Sequence, residues 1–129
     1  MNIRFLTLDE VLAIHKREIE IAGGADGVRD IERLESVIGA AQASFDGKLL
    51  MGLFDIAATY VNSLAFNHPF LDGNKRTAAA SSLTFLFLNG YTLEESYEEE
   101  LADKVLALVT KKISKEDISK YLSDNCVAL

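Results

Sequence analysis

The sequence predicts an all-α fold, with about six helices around a buried central helix. Three observations carry that expectation. Apolar residues recur at three- and four-residue spacing through most of the chain; the lone proline is Pro69, so helix interiors are free of breakers; and one stretch, Thr77 to Leu88, carries no charge at all. An amphipathic surface helix would show a charged face, so the uncharged stretch is the expected central one. At 129 residues and 49% hydrophobic composition, one domain, 1–129, is expected, large enough to bury a core without metal or disulfide staples.

The elements follow in order. Thr7 and Glu10 have capping-box spacing, each side chain satisfying the other's exposed backbone donor. Val11, Leu12, Ile14 and Ile19 continue that first helix, and Gly23-Gly24 ends it. Asp30 caps a second helix, with Ile31, Leu34, Val37 and Ile38 on one stripe. Asp46-Gly47 is a turn signal, which predicts a short hairpin or flap over 43–49. A third, strongly apolar helix is expected from Leu50 through Leu53, Phe54, Ala57, Tyr60, Val61 and Leu64, running into Asn67-His68-Pro69. The central helix stops at Asn89-Gly90. Ser96 with Glu99 is expected to cap a fifth helix holding Leu101, Val105, Leu108 and Val109, and Ser114 to start the last, with Ile118, Tyr121 and Leu122 inward.

Charge and composition narrow the function classes. The net charge of −7, with no basic stripe, disfavours direct binding to nucleic acid, itself a dense polyanion. No apolar run is long enough to span a bilayer, and Asp9 and Glu10 arrive too early for a signal peptide, so a cytoplasmic protein is expected. Cys126 is the single cysteine and reads as an incidental thiol. Glu94, Glu95, Glu98, Glu99 and Glu100 surround a helix start, where carboxylates match the dipole; no histidine accompanies them, so a metal site is disfavoured. His15, mid-helix and without a partner at ligand spacing, reads as a packing or surface histidine.

The chemistry concentrates in the run His68-Pro69-Phe70-Leu71-Asp72-Gly73-Asn74-Lys75-Arg76-Thr77, a loop far more polar than the apolar helices it joins. An imidazole has an ordinary pKa of about 6.5 and takes a proton near neutrality, which makes His68 the candidate general base on a hydroxyl. Asp72 is a hard oxygen ligand of the kind Mg²⁺ accepts when water and phosphate fill its other positions. Gly73 permits backbone angles that let successive N–H groups converge, and they lead into a helix N-terminus that attracts an anion. Asn74 adds an uncharged donor, and Lys75 and Arg76 add cationic ones. Pro69 fixes the exit of the preceding helix, and the Phe70 ring is expected to anchor the loop in the core. The set describes a phosphate cradle with a metal ligand and a base at its edge, the parts that phosphoryl or nucleotidyl transfer needs.

This run resembles the signature of the Fic/Doc family, His-Pro-Phe-x-Asp/Glu-Gly-Asn-x-Arg, at every specified position. Phe5-Leu6-Thr7, Gly23-Gly24, Gly27-Val28-Arg29-Asp30, Leu34-Glu35-Ser36, Phe85-Leu86 and Asn89-Gly90-Tyr91 are similar to the Doc (death-on-curing) toxin branch. The resemblance covers about the first ninety residues. It implies the all-α Fic fold, with ATP as substrate, Mg²⁺ at Asp72, His68 as base, Gly73 and Asn74 in an anion hole, Arg76 on phosphates, and a flap near Phe45 to Lys48 that aligns a target peptide by strand addition. Adenylyl-transferring members have Gly at the position of Lys75 and a second Arg at the position of Ala79. The lysine implies a reversed ATP and transfer of its γ-phosphate to a Ser or Thr of a target protein, a translation factor such as elongation factor Tu. Pro69 and Gly73, however, keep the form of the AMP-transferring members, so AMP transfer stands as the alternative. The intact motif argues against a non-catalytic binding module. The inhibitory-helix pattern of the family has no good match, since Ser96 to Glu100 is followed by Leu101. A separate antitoxin of Phd-like type, with a disordered tail that folds on binding, is the implied brake.

Overall fold

The computed structural model describes residues 2–129, apart from the side chains of Ser44 and Phe45. Six α-helices form the body: α1 (Leu8–Ala22), α2 (Ile31–Ala41), α3 (Leu53–Asn67), α4 (Asn74–Leu88), α5 (Glu98–Val109) and α6 (Lys115–Asn125). Two antiparallel two-residue pairs accompany them: β1 (Ser44–Phe45) with β2 (Lys48–Leu49), and β3 (Tyr91–Thr92) with β4 (Val127–Ala128). The all-α expectation holds.

Helix starts follow local chemistry. Thr7 and Glu10 make both halves of the capping box, and Arg4 grips the Glu10 carboxylate at 2.8 Å. The Asp30 carboxylate accepts from the amides of Glu32 and Arg33, and Ser114 makes a second capping box with Asp117. The Asp46-Gly47 turn has positive φ at both residues, 53° and 77°, as a tight hairpin turn requires, so the hairpin expected over 43–49 is present.

Two boundaries differ from expectation. The third helix begins at Leu53 rather than Leu50: Gly52 is its N-cap, and Leu50 lies outside it, 64% exposed. Ser96 caps nothing. Residues Glu95–Tyr97 tighten into a 3-10 turn, and α5 starts directly after it at Glu98 with no side-chain cap, its first turn supplied with Glu98, Glu99 and Glu100. The β3–β4 pair has no periodic signal in the sequence. It ties the chain end to the turn after α4, with the Leu129 amide donating to the Gly90 carbonyl at 2.9 Å.

The core is built on α3 and α4. Helix α4 packs against α1, α3 and α5, and α3 packs against α2, α4, α5 and α6. Small residues on α4, among them Ala78, Ser81 and Ser82, are buried and let α3 lie close. Phe85 of α4 then fills the space beside Tyr60 and Phe5. The Tyr60 hydroxyl accepts the Leu6 amide at 3.0 Å, and burial pushes its pKa up to about 12. Both α3 and α4 are anchored at one end by the loop of residues 68–73, which is where they meet.

Candidate active site

Helix α3 ends at His68, whose backbone sits in the left-handed region (φ 48°, ψ 55°). Histidine visits that region more readily than most side chains, and the conformation turns the chain sharply out of the helix. His68 is exposed, and among the described residues its imidazole has no hydrogen-bond partner. The next residues are pinned. Pro69 is buried, and its carbonyl accepts the amides of Arg29 and Asp30 at 2.7 and 3.2 Å. Phe70 is wholly buried, as expected for an anchor, and forms an antiparallel bridge with Val28. The Leu71 amide donates to Gly27 at 3.1 Å. The α1–α2 loop thus runs beside the motif as a short improvised strand.

Gly73, with φ +76°, is the N-cap of α4. Only a residue that tolerates this conformation turns the chain from the loop into the helix here, and a Cβ would also press Ile19 at 3.1 Å and Arg76 at 3.2 Å. The first intrahelical bond runs from the Thr77 amide to Gly73, so the amides of Asn74, Lys75 and Arg76 precede the ladder. Among the described residues, α4 is the one α-helix with no acid in its first turn, and it has no side-chain cap. In a chain of net charge −7 this helix start, carrying Lys75 and Arg76, is a local positive end.

The side chains around it divide their work. Asp72 is exposed; one carboxylate oxygen accepts the Gly73 amide at 2.8 Å and the other the Ala25 amide at 3.3 Å. Those two hydrogen bonds, Gly73 first, hold its pKa below the ordinary carboxylate value, with the charge of Arg76 adding to them. It is therefore an ionised, acceptor-only group with lone pairs left toward solvent. The Asn74 side chain is spent on the loop: its oxygen accepts the Phe70 amide at 3.0 Å and its nitrogen donates to the Phe70 carbonyl at 3.1 Å. What Asn74 offers an anion is its main-chain N–H. Lys75 is exposed. The Arg76 guanidinium donates to the Gly23 carbonyl at 2.9 Å and to the Glu18 carbonyl at 3.5 Å, capping the end of α1. Lys75 and Arg76 also border a groove of about 490 Å³ between α4 and α5, floored by Ala79, Ala80, Leu83 and Leu101.

One residue close to the motif escaped the sequence reading as part of the site. His15 is 2% exposed, so it is a packing histidine, but what it packs against is the motif loop itself. The signal was its place on the buried stripe of α1, one turn after Val11. Elsewhere, burial raises the Cys126 pKa, which fits an inert thiol. Among the described residues no cluster of three or more His, Cys, Asp or Glu is placed to hold a metal, the glutamates at 94–100 included. No helix among them is long and apolar enough to cross a membrane.

The chain is similar to known proteins. "Protein kinase doc" of Escherichia phage P1 is 37% identical over 120 residues, covering 93% of this chain and 94% of that protein. "Toxin Doc" of Mycolicibacterium smegmatis is 39% identical over 103 residues, covering 78% and 79%. A family model described as the Fic/DOC family matches residues 5–86, which contain α1 to α3, the motif loop and most of α4, and the chain belongs to that family.

Proposed function

We propose that the chain is a Doc-like toxin that transfers the γ-phosphate of ATP to a Ser or Thr hydroxyl of a target protein, a translation factor such as elongation factor Tu. The observation that carries this reading is the uncapped, acid-free start of α4, flanked by exposed His68 and ionised Asp72. His68 takes the proton of the target hydroxyl. The hydroxyl oxygen bonds to the γ-phosphorus, the bond to the bridging oxygen breaks, and ADP leaves. The amides of Asn74 and its successors receive phosphate oxygens, joined by that of Gly73 if it releases the Asp72 carboxylate, and Lys75 and Arg76 supply positive charge, Arg76 by leaving the carbonyls it now holds. Asp72 fits Mg²⁺: a single exposed carboxylate suits a cation that keeps waters and shares phosphate oxygens. Bound there, Mg²⁺ would neutralise charge on the transferred group.

Lys75 and Ala79, at positions where AMP-transferring relatives carry Gly and Arg, favour phosphate transfer, as does the name of the phage relative. Pro69 and Gly73 favour the second reading, AMP transfer by the same His68 and Asp72. The toxin name of the mycobacterial relative supports a paired antitoxin, of Phd-like type, as the protein partner.

The test is transfer of label from ATP marked at the α or the γ phosphate to a bacterial lysate supplemented with purified elongation factor Tu. Label from γ alone is expected, and His68→Ala should reduce it about 10²- to 10⁴-fold. Label from α would replace phosphate transfer by AMP transfer. No His68-dependent label from either position would end both readings.

A further inference from the structure

We propose that His15, on α1 and outside the signature, is a positioning residue for Asp72 and Gly73. Its Nε2 lies 2.8 Å from the main-chain carbonyl of Asp72. A carbonyl only accepts, so Nε2 carries the hydrogen and the neutral ring is the Nε2–H tautomer. The ring stacks on Phe70 with centroids 3.7 Å apart and planes 4° from parallel. Its other nitrogen faces the Asp26 carboxylate of the α1–α2 loop at 3.9 Å. A Cβ on Gly73 would lie 3.7 Å from Nε2, so the imidazole also backs the N-cap of α4. One buried side chain therefore holds the peptide unit between Asp72 and Gly73 by its carbonyl and stands against Gly73, while Phe70 and Asp26 hold the ring.

That peptide unit sets both groups on which an anion and its counter-cation would depend. Its N–H belongs to Gly73 and donates to the Asp72 carboxylate, and its rotation aims the carboxylate and the first amides of α4 together. His15 is 2% exposed, so it acts through Asp72 and Gly73 rather than on substrate. The inference rests on the assignment of those two residues to the Mg²⁺–ATP site, and its first two readouts need no nucleotide.

Nitrogen-15 NMR of the wild-type protein, at a pH where the ring is neutral, should find the hydrogen on Nε2; a hydrogen on Nδ1 overturns the proposal. His15→Phe keeps the stack on Phe70 and removes the donor, while His15→Gln supplies a donor without the ring. Exchange of the Gly73 amide should quicken about tenfold in His15→Phe, the effect of one lost hydrogen bond, and return most of the way in His15→Gln. Mg²⁺-dependent ATP affinity, by calorimetry, should follow the same pattern, while the melting temperature and the exchange of core amides such as that of Phe85 stay near wild type. Unchanged Gly73 exchange in His15→Phe, or a loosening spread evenly over α4, would show a plain packing role and overturn the proposal. Should His15→Phe fail to fold, the tautomer and the Gln variant decide. If the wild type binds no Mg²⁺–ATP, the nucleotide reading fails, while tautomer and exchange still decide the role of His15.

Discussion

Gly24 decides whether Asp72 can hold the position it has. An added Cβ there would stand 2.6 Å from one oxygen of the Asp72 carboxylate, and φ is +115°. Gly23 has a similar backbone handicap, φ +82°, but open space where a side chain would go. The two substitutions therefore separate strain from displacement. Gly24→Ala and Gly23→Ala should both lower stability, by about 1 kcal/mol or more, because alanine adopts positive φ at a cost. Gly24→Ala alone should also move the carboxylate, and a displacement near 1 Å costs about 10²-fold in transfer. Urea unfolding and ATP-dependent labelling of the two variants, side by side, check this. Equal activities would show that the Asp72 position tolerates the shift. At this scale the local roles of Phe70 and Gly73 were legible, since a buried ring anchors a loop and a glycine admits the positive φ that starts α4. Where Asn74 and Arg76 spend their hydrogen bonds was not legible, because their partners, Phe70, Gly23 and Glu18, are carbonyls and amides that carry no sequence identity.

Helix ends show which elements a sequence can declare. Thr7, Asp30 and Ser114 cap where they were expected to, since a cap satisfies donors two or three residues away and needs nothing distant. Ser96 has the same spacing to Glu99 and fails, because it lies inside the 3-10 turn Glu95–Tyr97, which leads straight into α5 with Tyr97 at the N-cap position. The β3–β4 pair was invisible for a related reason: two residues carry no period, and the partner strands come from opposite ends of α5 and α6. The α1 cap makes a pH prediction. The Arg4 guanidinium first, and the Thr7 amide next, push the Glu10 pKa down from 4.5 to about 2. A depressed carboxylate stabilises the fold above its unfolded value, so this contribution is complete above about pH 4.5 and fades as pH falls toward 2. Glu10 and Arg4 are partly exposed, so salt should shrink the effect. Glu10→Gln should flatten the fall of the urea midpoint between pH 5 and pH 2. An unchanged slope would assign acid sensitivity to other carboxylates.

Across the whole molecule, the ends of α4 have separate duties. Its N-terminus borders the candidate site, and its C-terminus, about 20 Å away at helical rise, fastens the N-terminal segment. Asn89 does the fastening: its oxygen accepts the Arg4 amide at 2.9 Å, and its nitrogen donates to the carbonyls of Arg4 and Phe85 at 2.9 and 2.8 Å. This clamp keeps Phe5 over Phe85 and leads into the Thr7 cap, so α1 is held at its start by Asn89 and at its end by Arg76. If the fold were a single stiff body in which every loss is shared, loosening either end would degrade the site. If the far clamp contributes stability alone, the two can be uncoupled. The local density of bonds favours uncoupling, because the motif loop is pinned independently by Arg29, Asp30, Gly27 and Asn74. Asn89→Ala should therefore cost about 1–3 kcal/mol, the range for losing three hydrogen bonds at a half-buried side chain, and lower the melting temperature by several degrees. ATP-dependent transfer at 25 °C should stay within about twofold of wild type, since the folded fraction is still close to one. Gly24→Ala should differ in transfer rather than in stability: a similar cost to the fold, which persists, with about 10²-fold less transfer. A loss of transfer in Asn89→Ala equal to that of Gly24→Ala, with the protein still folded, would instead mean that α1 carries strain from one end of α4 to the other.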